Sequence, residues 1–135
     1  MNDFRFEIPG PRLGEDDQPA LRVEARDVSD TVTVVEVRGD LDTMTAPGFG
    51  KWVRDRFTGR SDVVVDLDGV GFLASAGIAV LMGLRQEADR RGMRVHLTGR
   101  NNHAVSRPVE VVGLQARLDL KADAQAVVAG LVPAR

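Results

Sequence analysis

Two aspartates one residue apart, Asp66 and Asp68, and a serine seven residues beyond them, Ser75, hold most of the chemical potential of this 135-residue chain. A carboxylate at the end of a strand can act as a nucleophile or hold Mg²⁺, provided that other acidic groups and a lysine complete the site. A hydroxyl at the start of a helix can carry a phosphate, because backbone N–H groups point outward there and favour negative charge. A second acidic pair, Asp40 and Asp42, lies upstream. The chain has no cysteine, which rules out a thiolate nucleophile, a thiolate metal site or a disulfide. No His, Asp and Glu set has metal-ligand spacing. His96 reads as a structural histidine in a strand, and His103 as a solvated residue near a helix start.

These groups are positioned by one stretch, VVVDLDGVGFLASAGIAVLMGL, residues 63–84. Val63-Val64-Val65 is an apolar β-branched run and predicts a buried strand over about 62–67. Asp66 and Asp68 are expected to end it and Gly69 to turn the chain, with Val70, Phe72 and Leu73 as an apolar connector. Ser75 is expected to cap a helix over about 75–90, in which Ile78, Leu81, Leu84 and Ala88 recur at helical spacing. Arg90, Arg91 and Gly92 suit its end. Gly77 would allow close approach of a partner or of the neighbouring strand.

The rest of the chain frames that stretch. Leu21 to Ala25 alternates apolar and polar, and Thr31 to Arg38 is rich in valine and threonine, so the two predict a hairpin whose first strand is an antiparallel edge. Thr45 and Pro47 mark a helix start, with Phe49, Trp52, Val53 and Phe57 on its apolar face and Gly59 as its stop. Met93 to Leu97 is another strand. Asn101 or Asn102 can cap a third helix with Val105, Val109 and Val112 on one face. Pro108 would either kink that helix or delay its start to Ser106. Ala116 to Leu120 reads as a short strand or extended piece. Asp123 opens a last helix, expected to bury Ala126, Val127, Gly130 and Leu131. Residues 1–20 hold three of the six prolines and an acidic run, and predict a flexible N-terminal arm in which Phe4, Phe6 and Ile8 alternate without an evident partner. The remaining residues, 21–135, predict one α/β domain with a mixed, mostly parallel central sheet of four to five strands and about four helices.

Composition narrows the function. A net charge of −2 gives no support to a nucleic-acid or anionic-membrane partner. The absence of cysteine, of a signal-peptide pattern and of a membrane-length apolar run leads to the expectation of a cytoplasmic protein. VVVDLDGV resembles the opening motif of haloacid-dehalogenase-like phosphatases, but the rest of that site is missing. Lys121 is the only lysine after Asp68, and Glu87, Asp89, Glu110, Asp119 and Asp123 form no paired acidic motif after a strand. A phosphoaspartate receiver site would need a lysine after a late strand, and Leu97-Thr98-Gly99-Arg100 supplies none.

The order of motifs is more specific. VVVDLDGVGFLASAGIAVL resembles the signature of STAS domains, the family of anti-sigma factor antagonists and sulphate-transporter C-terminal domains. Val34 to Asp42, VVEVRGDLD, resembles the second signature. Pro47, Leu97-Thr98-Gly99 and Val112-Gly113-Leu114 fall where the family pattern places them, and the resemblance covers about residues 20–132. It implies a STAS fold with no catalytic activity, cofactor or metal. It implies an anti-sigma factor antagonist whose partner is an anti-sigma factor of the serine-kinase type, with an indirect effect on a sigma factor. By position the phosphorylated serine is Ser75, and Asp42 is the family aspartate facing the kinase. The implied partner-binding residues are Asp42, Thr43, Ala74, Ser75, Ala76 and Gly77. A weak homodimer stays open. The chain departs from the pattern at Ala74, where the family often has aspartate, and at Ala76, the position of a second serine. The alternative is a non-phosphorylated STAS scaffold in a stress-signalling or lipid-transport complex.

Overall fold

The computed structural model describes residues 3–10 and 18–132. Five strands, β1 (Asp3–Ile8), β2 (Leu21–Asp27), β3 (Val32–Leu41), β4 (Asp62–Leu73) and β5 (Arg94–Leu97), form one sheet in sequential order. β1, β2 and β3 are joined antiparallel, while β3, β4 and β5 run parallel. The parallel strands are linked by α1 (Ala46–Asp55) and α2 (Ser75–Arg90), and α3 (His103–Val111), α4 (Gln115–Leu118) and α5 (Ala124–Leu131) follow β5.

Strand alternation sorts the valines between two layers. Val35, Val37, Val63, Val65 and Leu67 face the main core with Phe49, Val53, Leu81 and Leu84. Val34 and Val64 face the other side and meet α5. The central strands are therefore apolar on both faces, as buried parallel strands must be.

Several expectations are corrected. The segment expected to be a flexible arm contains β1, whose Phe6 and Ile8 pack against the main core. β2 is consequently an inner strand and not the edge. β4 does not end at Asp66 and Asp68 but continues to Leu73. Register shifts against β3, between Glu36 and Arg38 and between Gly39 and Asp40, absorb the bend. Gly69 is thus a strand residue at a close approach, where a Cβ would lie 2.9 Å from the Val37 carbonyl oxygen.

The expected strand at 116–120 is instead the one-turn helix α4. It stops at Asp119, which adopts the left-handed conformation with φ 49°. Only Lys121 returns to the sheet, through a single parallel bridge to Thr98. Arg85 on α2 donates a 2.9 Å hydrogen bond to the Leu118 carbonyl and holds α4 in place. α3 starts at His103, capped by Asn102, despite Pro108, so the start is not delayed to Ser106. Val112 lies just beyond α3 and is exposed, while Val105 and Val109 are buried. The inner face of α5 is Ala124, Val127, Val128 and Leu131, whereas Ala126 and Gly130 are exposed.

Candidate functional site

The carboxyl ends of β3 and β4 are neighbours, since Leu41 is in register with Leu73. Both chains turn into helices there. This brings the 42–45 turn and the start of α2 to one end of the sheet, and with them Asp42, Thr43, Ala74, Ser75, Ala76 and Gly77.

Asp42 shapes its own turn. Its Oδ1 accepts the N–H groups of Met44 at 3.0 Å and Thr45 at 3.1 Å. The Thr45 hydroxyl donates to the Asp40 carbonyl at 2.7 Å and accepts the Asp42 N–H at 3.0 Å. The carboxylate therefore orders the entry to α1, and no hydrogen bond among the described residues occupies its Oδ2. Thr43 is exposed beside it.

α2 begins differently. Its N-cap position is Ala74, in an extended conformation, and no side chain accepts a hydrogen bond from the first turn. Ser75 is therefore the first helical residue and not the cap that the sequence predicts. It is exposed, and its hydroxyl makes no hydrogen bond among the described residues. The Ala74 N–H is used by the Leu41 carbonyl at 2.9 Å, which ties the helix start to β3. Gly77 is buried at this contact, and a Cβ there would lie 2.7 Å from the Leu41 oxygen. Of the two openings for Gly77, it serves the neighbouring strand. Ala74 and Ala76 are half-buried flanks of an exposed hydroxyl.

Two apolar side chains stand exposed at this end, Met44, which the sequence reading passed over, and Phe72, which it placed only in an apolar connector. Met44 in the 42–45 turn is 83% exposed, and Phe72 near the end of β4 is 53% exposed. Phe72 is in register with Asp40 on β3. The signal available for Met44 was its place between Asp42 and Thr45, in a turn that cannot bury it.

Asp66 and Asp68 are not part of this site. Leu73 is seven residues further along β4 than Asp66, roughly 20 Å at the usual strand rise. The Asp66 Oδ1 accepts the Asp68 N–H at 3.0 Å and lies 3.3 Å from the Thr98 hydroxyl. Partial burial, then the carboxylates of Asp66 and Asp123, hold the Asp68 carboxyl above the usual aspartate range. Asn102 fixes the bend. Its Nδ2 donates to the carbonyls of Val70 at 2.8 Å and Leu67 at 3.0 Å. The Asp66 carboxylate thus braces β4 at its bend, inside the strand that the pair was expected to end. His96 is bound through Nε2 to Asp62 at 2.7 Å, which fits a structural histidine, and His103 is exposed. No helix among the described residues is long and apolar enough to cross a membrane.

Comparison with known proteins agrees with this arrangement. An anti-sigma factor antagonist from Mycobacterium paratuberculosis superposes with a TM-score of 0.67 at 25% identity, over 82% of this chain and 92% of that one. The anti-sigma factor antagonist SpoIIAA in its unphosphorylated form gives a TM-score of 0.65 at 16% identity, over 82% and 99% of the two chains. The murine anion transporter Slc26a9 gives 0.64 at 18% identity, over 96% of this chain but 23% of the transporter. No curated protein matches the chain significantly by sequence. The family described as "Mlab, STAS domain" matches residues 24–128. With the five-stranded α/β fold and this match in agreement, the chain belongs to the STAS-domain family.

Proposed function

We propose that this protein is an anti-sigma factor antagonist that binds a serine-kinase anti-sigma factor and is released when Ser75 is phosphorylated. One observation carries the reading. Ser75 is exposed, with no hydrogen bond to its hydroxyl among the described residues, at a helix start that no side chain caps. The solved antagonists of similar fold supply the partner class.

The proposed switch follows from charge. A kinase would transfer the γ-phosphoryl group of ATP to Ser75 Oγ, with the new O–P bond replacing the one to ADP and the hydroxyl proton passing to the kinase. The product adds about −1.5 to −2 charge. The open N–H groups of the first α2 turn can receive that charge without a change of fold. A partner packed over Ala74, Ser75 and Ala76 would have to desolvate it, which is costly. Asp42 and Thr43 complete the partner-facing surface, and the exposed Met44 supplies apolar area. Gly77 contributes from beneath, by setting how closely α2 approaches β3.

A second reading is a scaffold subunit without phosphorylation. Two observations favour it: Ala74 lacks the carboxylate that often precedes the serine, and the matching family is described by the name Mlab. Incubation with ATP and serine-kinase anti-sigma factors from the same cell, read by intact mass, separates the two. Gain of one phosphate that is lost in Ser75→Ala supports the switch. Absence of both phosphate and binding, with capture of a transporter or scaffold subunit instead, contradicts it.

A further inference from the structure

β1 pairs with β2 along one edge, and no described strand covers the other. Its side chains separate cleanly by face. Phe4, Phe6 and Ile8 stand opposite Ala25, Val23 and Leu21 on the helix-covered face. Arg5 and Glu7 stand on the other face opposite Glu24 and Arg22, and are paired to them at 3.0 and 3.1 Å. Phe4 remains 48% exposed even with the Arg56 guanidinium 4.8 Å above its ring. An edge of this kind leaves a row of backbone N–H and C=O groups to be satisfied.

We propose that two copies of this chain join through their β1 edges, antiparallel about a two-fold axis at Phe6, to form one continuous sheet. The register follows from charge together with the overlap of the six-residue strand, which an axis at Phe6 keeps largest among the charge-matched choices. A two-fold axis perpendicular to the sheet keeps faces matched, so only residues of equal parity can stand opposite one another. Centring on Arg5 opposes Arg5 to itself, and centring on Glu7 opposes Glu7 to itself; like charges in direct opposition are destabilising. Centring on Phe6 places Arg5 opposite Glu7 of the second copy, twice. Each charged row then reads Glu24, Arg5, Glu7, Arg22 across four strands, with alternating sign.

The apolar face agrees with the same register. Phe4 meets Ile8 of the second copy, twice, and Phe6 meets its own counterpart. Each outer row then reads Ala25, Phe4, Ile8, Leu21. Pro9, which has no N–H to donate, follows directly and ends the ladder. Trp52 stacks on Phe6 with ring centroids 5.9 Å apart, so the only tryptophan of the chain reports on this axis.

Sedimentation of the full chain over a concentration series, with Trp52 emission in parallel, tests the proposal. The weight-average mass is expected to rise from 14.6 kDa towards twice that value, with an emission change over the same range. Arg5→Glu alone and Glu7→Arg alone should each weaken association about tenfold or more, since opposite charges become like ones. An equimolar mixture of the two variants restores both charge pairs and should associate again. A wild-type chain that stays monomeric at every concentration overturns the proposal. So does a dimer that persists in both variants, or a mixture of folded variants that remains monomeric.

Discussion

Two helix starts in this protein are built in opposite ways. α3 is closed by Asn102, whose Oδ1 accepts the Ala104 N–H at 3.1 Å while its Nδ2 holds the bend of β4. α2 follows Ala74, whose side chain has nothing to offer its first turn. α5 follows the α3 pattern, with Asp123 accepting the Gln125 N–H at 2.9 Å. The contrast separates a helix start that holds the fold together from one whose first-turn N–H groups stay available beside an exposed hydroxyl. The anchoring of α2 comes from the Gly77 contact with Leu41 and not from a cap.

The contrast can be broken most strongly at α3. Asn102→Ala removes the cap and leaves the Leu67 and Val70 carbonyls without their donor, so a loss of about 2–4 kcal/mol is expected by chemical denaturation. Gly77→Ala attacks the α2 anchor. Its Cβ meets the Leu41 backbone, and a loss of about 1–3 kcal/mol should appear in the same measurement. Ala74→Asp sharpens the comparison from the other side. It gives α2 the cap it lacks and should stabilise the fold by about 0.5–2 kcal/mol, read as a higher Tm.

The smallest effect is expected at Asp68. Its folded pKa lies above the unfolded value, so the folded state holds the proton more tightly. That contribution is present at low pH and is lost as pH rises through the folded value. Asp68→Asn removes the decline. Melting curves from about pH 4 to pH 7 should show the variant losing less stability than wild type as pH rises.

Local patterns made much of this readable in advance. The Val63-Val64-Val65 strand, the α2 periodicity and the Asp123 cap depend on neighbours in sequence, and all three appear in the structure. The role of β1 did not, because Phe4, Phe6 and Ile8 find their partners thirteen or more residues away in β2. The continuation of β4 past Asp68 depends on bulges against β3, which no pattern within β4 reveals. Ser75 was read as a cap because serine favours that position, yet the Leu41 bond to the Ala74 N–H shifts the helix start by one residue. The G-D-L-D pattern placed Asp42 just after β3, but its hydrogen bonds to Met44 and Thr45 needed three dimensions.

The account rests on Ser75 as a charge switch at an open helix start. The most direct measurement is calorimetric titration of the cognate anti-sigma factor with the unmodified chain, the Ser75-phosphorylated chain and Ser75→Ala. The account predicts tight binding by the unmodified chain and Ser75→Ala, and at least a hundredfold weaker binding by the phosphorylated form, about 2.7 kcal/mol. Equal affinity of the phosphorylated and unmodified chains would contradict it.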